Sequence, residues 1–130
     1  MRIFAFFWAV VMGVGVLPVA GQNGGKAVPR EIRFAPHSSA ATVTGMLSNG
    51  QEYDLVFSAK KGQTVTITNS RTALFDFRVF NNEFDFETEF DSSRQMTFEV
   101  PETGNYLLFV RKRMVQRPRT ARFSITLTIK

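Results

Sequence analysis

The stretch FSITLTI, residues 123–129, decides the fold because its apolar and polar side chains alternate without a break. Alternation with period two places successive side chains on opposite faces, as in a β-strand with one buried face. One phase is wholly apolar and the other carries only hydroxyls: Phe123, Ile125, Leu127 and Ile129 against Ser124, Thr126 and Thr128. The stretch therefore predicts a long strand that covers an apolar core.

The same alternation recurs through most of the chain, with turn-forming residues between the runs. The clear runs are EYDLVFSA (52–59), TVTITNS (64–70), LFDFRVF (74–80), EFDFETEFD (83–91) and RQMTFEV (94–100), and the weaker ones are EIRFA (31–35) and ATVTGML (41–47). YLLFV (106–110) is apolar in both phases, which predicts a central strand. Helical periodicity is absent from these runs. The pattern predicts an all-β fold, a single antiparallel β-sandwich or flattened barrel of about eight strands.

The first residues have the pattern of a secretory signal peptide. Met1 and Arg2 are followed by an almost wholly apolar block, which closes with the small residues of VAG at 19–21. We therefore predict a signal peptide over residues 1–21, a flexible tail over 22–29 and one β-sandwich domain over 30–130. A membrane anchor is the alternative, and Gly13, Gly15 and Pro18 argue against it. Cleavage would release an exported protein with no remaining membrane segment.

The inventory of reactive side chains argues against catalysis. The chain has no cysteine and one histidine, His37. This excludes a disulfide scaffold, a thiol nucleophile and a cysteine-ligated zinc site. A Ser–His pair with Ser38 or Ser39 is disfavoured, because adjacent residues of an extended chain point apart. We predict that the protein is not an enzyme and that it uses no metal or other cofactor.

The charges are divided between two segments. Residues 76–91 contain six acidic side chains and one basic side chain, whereas residues 110–122 contain six basic side chains and no acidic one. The acids of FDFETEFD alternate with Phe, which is typical of a solvated strand face and differs from a calcium loop. The sequence therefore predicts an acidic region and a basic region in one small domain.

The basic segment VRKRMVQRPRTAR, residues 110–122, allows three interpretations. It could be a solvated hairpin loop, a nucleic-acid site, or a site that docks onto carboxylates of another protein. Nucleic acid is disfavoured because an exported protein rarely meets it and no aromatic stacking platform is evident. Docking is supported by the five arginines, since the planar guanidinium pairs with carboxylates through two hydrogen bonds.

Several stretches together resemble the periplasmic inhibitors of g-type lysozyme, and in outline the related inhibitors of invertebrate-type lysozyme. They are FAPHSSAATVTG, AKKGQTVTITNS, PETGNYLLFV and an arginine-rich hairpin that ends in FSITLTIK. The resemblance spans about residues 32–130. The turn A-x-x-G-Q also occurs in pre-peptidase C-terminal β-sandwich modules, so that turn alone identifies an architecture.

The resemblance implies a non-catalytic sandwich in the periplasm whose loops enter the active-site cleft of a lysozyme, with the g-type favoured. The family's Ser-Gly-x-Tyr turn matches Thr103, Gly104, Asn105 and Tyr106, so the hydroxyl and the phenol are expected to face the cleft. The arginines of the family's last hairpin match Arg113, Arg117 and Arg119. A lysozyme is thus the expected partner of a monomer or homodimer.

The alternative function is a non-catalytic module of the pre-peptidase type that binds a carbohydrate or an envelope protein. Carbohydrate binding predicts an exposed aromatic platform, for which Phe84, Phe86 and Phe90 are the candidates. Inhibition predicts instead that Thr103, Tyr106 and the arginines converge on one edge of the sandwich. The two hypotheses therefore differ in where these residues lie.

Overall fold

The computed structural model describes residues 29–130, which form nine strands. Their bounds are β1 Arg30–Glu31, β2 Ala40–Ser48, β3 Glu52–Ala59, β4 Thr64–Asn69, β5 Phe75–Asn81, β6 Phe86–Glu87, β7 Gln95–Glu99, β8 Gly104–Lys112 and β9 Thr120–Ile129. The predictions for residues 1–28, a signal peptide and most of a flexible tail, lie outside the described residues. Within 29–130 there is no helix long and apolar enough to cross a membrane.

The strands form two sheets that pack face to face. One sheet has five strands in the order β1-β3-β8-β5-β6, and the other has four in the order β2-β9-β4-β7. The predicted all-β sandwich is confirmed, and the two separate sheets rule out the barrel alternative. The predicted central position of YLLFV is also confirmed, because β8 pairs with both β3 and β5.

The core forms where the period-two runs of the two sheets meet. In β9 Phe123, Ile125 and Leu127 are almost fully buried, and the hydroxyl side chains between them lie on the outer face. The facing sheet contributes the buried side chains of Leu55, Phe57, Phe75, Phe77, Val79, Leu108 and Val110. Removing one such side chain from water stabilises the fold by about 1.5–3 kcal/mol. The alternation that predicts the strands thus also supplies the core.

The acidic segment differs from its prediction as a full strand over 83–91. Residues 82–85 form a turn, and the strand that follows, β6, has only two residues. The side-chain oxygen of Asn81 accepts hydrogen bonds from the backbone N–H groups of Glu83 and Phe84, at 2.7 and 3.1 Å, and so stabilises the turn. Asp85 has a φ of 55°, a left-handed conformation that a strand cannot contain. Side-chain alternation alone did not reveal this competing turn.

The predicted sheet is antiparallel, but β1 pairs with β3 in parallel, with Arg30 opposite Leu55. The pairing is continued by the N–H of Ile32, which donates to the carbonyl of Val56 at 2.9 Å, and the Ile32 side chain is buried. Parallel neighbours need a long connection between them. Here the chain crosses to the other sheet, forms β2 and returns as β3, which gives that length.

The basic segment is not the hairpin that the sequence predicted. Strands β8 and β9 belong to different sheets, and residues 113–119 cross from one sheet to the other. Both edges of β8 are occupied by β3 and β5, and both edges of β9 by β2 and β4. The two strands therefore have no free edge with which to pair. We call residues 113–119 the basic connection.

Candidate protein-binding site

The two sets of predicted site residues lie at opposite ends of β8. The turn of Thr103, Gly104 and Asn105 begins this strand, and the basic connection follows its last residue, Lys112. Eight residue steps at about 3.3 Å each separate the ends by roughly 26 Å. The predicted convergence of Thr103, Tyr106 and the arginines on one edge is therefore not found.

At the Gly104 end, residues 102–106, the polar groups are used within the protein. The hydroxyl of Thr103 accepts a hydrogen bond from the N–H of Lys61 at 2.9 Å. The side-chain oxygen of Asn105 accepts one from the hydroxyl of Ser58 at 2.6 Å, and its backbone carbonyl accepts one from the amide of Asn81 at 2.5 Å. These bonds fix the turn against the neighbouring β3–β4 and β5–β6 turns.

Tyr106 is a core residue, contrary to the expectation that its phenol faces a cleft. Its side chain is fully buried, and its ring lies 5.7 Å from the rings of both Phe57 and Phe86. The hydroxyl donates to the carbonyl of Glu102 at 2.5 Å, as in the tyrosine corner of other β-sandwiches. Burial raises the pKa of this phenol. The sequence contained a signal for this, because Tyr106 shares its phase with Leu108 and Val110.

Exposed arginines gather at the opposite end of the sandwich. We call this surface the basic pole and define it as Arg71, Arg113, Arg117, Arg119 and Arg122. All five residues are exposed, and within residues 29–130 none of them forms an ion pair with a carboxylate. The sequence reasoning assigned three of them to the site, placed Arg122 in the basic segment without a site role, and missed Arg71.

The topology explains this gathering, because several chain segments cross between the sheets at this end. The guanidinium of Arg71 donates to the backbone carbonyl of Arg122 at 3.3 Å, and that of Arg113 to the carbonyl of Thr72 at 3.4 Å. The backbone N–H of Arg113 donates to the carbonyl of Leu74 at 2.8 Å. The β4–β5 connection and the basic connection are thus fastened side by side.

Arg111 has a structural role, although the sequence groups it with the basic segment. It lies in β8 opposite Asp76 of β5 and donates two hydrogen bonds to that carboxylate, at 3.1 and 2.9 Å. The pairing raises the pKa of the guanidinium. Its carbon Cζ also lies 3.7 Å from the ring centre of Phe90. Arg111 is therefore already occupied on the outer face of the five-stranded sheet.

Lys112 is the second base that the sequence placed in an exposed loop, and it is fully buried. Its ammonium group donates to the side-chain oxygen of Asn49 at 2.8 Å and to the carbonyl of Arg113 at 2.9 Å. Burial lowers the pKa of this amine. The phase of β8 points to this position, since Lys112 continues the inward series of Leu108 and Val110.

Two methionines add apolar surface near the basic pole. Met114, within the basic connection, has 76% of its surface exposed, and Met46 in β2 has 53%. They are the large hydrophobic residues with high exposure in the described part of the chain. Met46 pairs with Arg122, so it borders the arginines. Methionine and arginine are both enriched in protein–protein interfaces.

The candidate aromatic platform is not exposed as carbohydrate binding would require. Phe84 and Phe86 pack against the core, and Phe90 lies beneath the guanidinium groups of Arg111 and Arg78. His37 lies in an exposed turn with a φ of 63°. Among residues 29–130, no three side chains of His, Asp or Glu lie together as a metal site would need.

Comparison with known proteins relates the fold to two groups. No family model matches the chain, and no curated protein matches it in sequence. The structure of PliG from Aeromonas hydrophila, a periplasmic inhibitor of g-type lysozyme, has a TM-score of 0.65 and 22% identity over 78% of this chain and 96% of that one. PliG from Salmonella Typhimurium, with the same description, has a TM-score of 0.65 and 20% identity over 81% and 100%.

The pre-peptidase C-terminal domain of a collagenase from Bacillus anthracis is also similar, with a TM-score of 0.54 and 14% identity over 83% of this chain and 100% of that domain. At these identities the likeness concerns the fold. The chain therefore has the β-sandwich fold of the PliG lysozyme inhibitors. The predicted resemblance to that family is confirmed at this level.

Proposed function

We propose that the protein is a lysozyme inhibitor of the bacterial periplasm, which docks its basic pole into the substrate cleft of the enzyme. Arg113, Arg117 and Arg119 of the basic connection are the residues that enter the cleft. A g-type lysozyme is the favoured target. The PliG structures support the class of target, because they share the fold over almost their whole length.

The observation that carries the proposal is the set of five exposed arginines without a carboxylate partner in residues 29–130. Glycoside hydrolases place carboxyl groups on both sides of the scissile bond. A guanidinium group can form two parallel hydrogen bonds with such a carboxylate. In the free protein the arginines are exposed and have no carboxylate partner within residues 29–130, and in the complex the acids of the cleft would relieve their mutual repulsion.

Met114 supplies the apolar part of the same contact. It lies beside Arg113 and is the most exposed large hydrophobic residue of those described. An interface gains affinity from an apolar centre that excludes water around charged pairs. We therefore assign Met114 to the centre of the docking surface.

The turn of Thr103, Gly104 and Asn105 is not part of this proposal. It lies about 26 Å from the basic connection along β8, and the Thr103 hydroxyl and the Asn105 side chain already bond to Lys61 and Ser58. The alternative function is a module that binds a carbohydrate. The likeness to the collagenase domain supports the fold of such a module and not the binding. The packing of Phe84 and Phe86 against the core argues against it.

The test is a titration of the protein against g-type, invertebrate-type and other lysozymes acting on cell walls. A variant with Arg113→Ala, Arg117→Ala and Arg119→Ala should lose inhibition, because three charges leave the docking surface. The matched control replaces Lys60, Lys61 and Lys130 by alanine, which removes three cations from the other end. If no lysozyme is inhibited, or if the control loses as much inhibition as the arginine variant, the proposal is wrong.

A further inference from the structure

The basic connection is fastened to the sandwich by hydrogen bonds around the half-buried Asn49, in the β2–β3 turn. The backbone N–H of Asn49 donates to the carbonyl of Arg119 at 2.8 Å. Its amide donates to the carbonyl of Val115 at 2.6 Å, and its side-chain oxygen accepts from the ammonium group of Lys112 at 2.8 Å. One residue therefore contacts the strand before the connection, its middle and its last residue.

Lys112 completes these hydrogen bonds from the other side. Its ammonium group bonds to Arg113 as well as to Asn49, and its backbone exchanges hydrogen bonds with the same turn. The N–H of Gly50 donates to the carbonyl of Lys112, and the N–H of Lys112 donates to the carbonyl of Gln51, both at 3.0 Å. The β2–β3 turn is thus joined to the start of the basic connection by side chain and backbone.

A buried ammonium group without a carboxylate is unfavourable for folding unless its hydrogen bonds are satisfied. Within residues 29–130 Lys112 forms no ion pair, and burial acts together with the positive charge of Arg71 to lower its pKa. Packing alone would be served by an apolar side chain of similar volume, such as methionine. The observed bonds to Asn49 and Arg113 therefore point to a role in fixing the connection.

We propose that Asn49 and Lys112 are positioning residues, which hold the basic connection in one conformation and so present its arginines ready for a partner. Fixing the connection opposes two effects: the mutual repulsion of its arginines and the conformational entropy of its backbone. A connection ordered before binding does not lose that entropy in the complex. The link to binding rests on the proposed function, whereas the fixed conformation is a property of the free protein.

Trypsin tests the fixed conformation without any partner. Cleavage after Arg113 and Arg119 requires the connection to open locally, while Lys60 and Lys61 in the exposed β3–β4 turn provide a reference. The variants are Asn49→Ala and Lys112→Met, and Lys130→Met is the control that loses a cation at the other end. Intact-mass analysis follows the first cut at a temperature well below the melting point of each variant.

Both variants should be cut in the basic connection about tenfold faster than the parent, with the cut at Lys60 and Lys61 unchanged. Lys130→Met should match the parent. The proposal would be overturned if parent and variants were cut at equal rates. It would also be overturned if the cutting rate rose equally in the basic connection and at Lys60 and Lys61. Should Lys112→Met fail to fold, Asn49→Ala decides alone, because Asn49 lies in a turn and leaves the core intact.

Inhibition measurements then separate this proposal from the proposed function. Asn49→Ala should inhibit about tenfold less strongly than the parent, through faster dissociation, and should keep the parent's dependence on salt because all five arginines remain. Unchanged inhibition by a variant whose connection is cut faster would refute the link to binding. Faster cutting in a protein that inhibits no lysozyme would confirm the positioning and refute the function.

Discussion

The two ends of β8 differ in whether their predicted site residues form hydrogen bonds within the protein. At the Gly104 end, Thr103, Asn105 and Tyr106 all form hydrogen bonds within the protein. At the basic pole, by contrast, the guanidinium groups of Arg117 and Arg119 have no hydrogen bond within residues 29–130. A polar group bonded internally contributes to the fold, and one left in water stays available to a partner.

Sequence motifs at the two ends therefore carry different kinds of information. Substitutions at the Gly104 end should lower the stability of the fold. Substitutions of Arg117 and Arg119, whose guanidinium groups have no hydrogen bond within residues 29–130, should lower binding and leave stability unchanged.

Tyr106→Ala should destabilise the protein by about 3–5 kcal/mol, because it empties a fully buried aromatic site and removes the hydroxyl bond to Glu102. Denaturant unfolding followed by fluorescence or circular dichroism measures this. Met114→Ala at the basic pole is the control and should change stability by less than about 0.5 kcal/mol. Similar losses in the two variants would remove the distinction between the ends.

Arg119→Ala should weaken binding to an inhibited lysozyme by about 2–5 kcal/mol, since it removes one partner of a desolvated charge pair. Its melting temperature should match that of the parent, because the side chain is exposed and unpaired within residues 29–130. Inhibition constants and thermal melts of the same preparation give both values. Full inhibition by Arg113→Ala, Arg117→Ala and Arg119→Ala, each tested singly, would assign the docking surface elsewhere.

Gly104→Ala should destabilise the protein by about 1–3 kcal/mol through overpacking. A Cβ at this position would lie 2.9 Å from Cε2 of Phe84, too close for the ring to stay where it is. Adding Phe84→Leu should recover part of the loss by removing the ring atoms in the way. Chemical denaturation of the single and double variants measures this coupling, and an unchanged single variant would contradict the packing at this end.

Tyr106→Phe should lower stability by about 1 kcal/mol and leave inhibition unchanged. It removes one internal hydrogen bond and keeps the buried ring. If the phenol contacted the partner instead, inhibition would fall while stability stayed the same. Paired unfolding and inhibition measurements distinguish the two results.

The smallest expected effect is a pH dependence at Lys112. Burial lowers its pKa in the folded protein below the ordinary value of 10.5, so between these two pKa values the unfolded chain binds more protons. Stability then rises with pH across that interval as far as this group is concerned. Relative to Lys112→Met, the parent should gain stability as the pH increases towards 10.5. A constant difference between the two unfolding free energies would contradict the lowered pKa.

The strands and the core could be predicted from the sequence because period-two alternation determines which side chains share a face. Phe123, Ile125 and Leu127 were assigned to the core on that basis and are buried. The same alternation does not say which sheet a strand joins. For this reason the sequence predicts a hairpin where residues 113–119 cross between the sheets.

The candidate site was less accessible to sequence reasoning, since it depends on contacts between distant segments. Arg71 meets Arg122, and Asn49 meets Lys112, only after both sheets have formed. The burial of Tyr106 and Lys112 could be predicted from the sequence, because both lie on the same inward face of β8 as Leu108. The resemblance of motifs predicted an exposed phenol, whereas the alternation of side chains along β8 predicts a buried one.

Strand β9 has a consequence for the order in which the protein can fold. It is the last of the nine strands in residues 29–130, yet it lies between β2 and β4 and joins them into one sheet. Until β9 has been synthesised, β2 has no neighbour in its own sheet, and the core lacks the buried side chains of Phe123, Ile125 and Leu127. Such distant pairings generally make folding slow. We therefore expect that the sandwich cannot form before residues 120–129 have left the ribosome, and that loss of this short segment abolishes it.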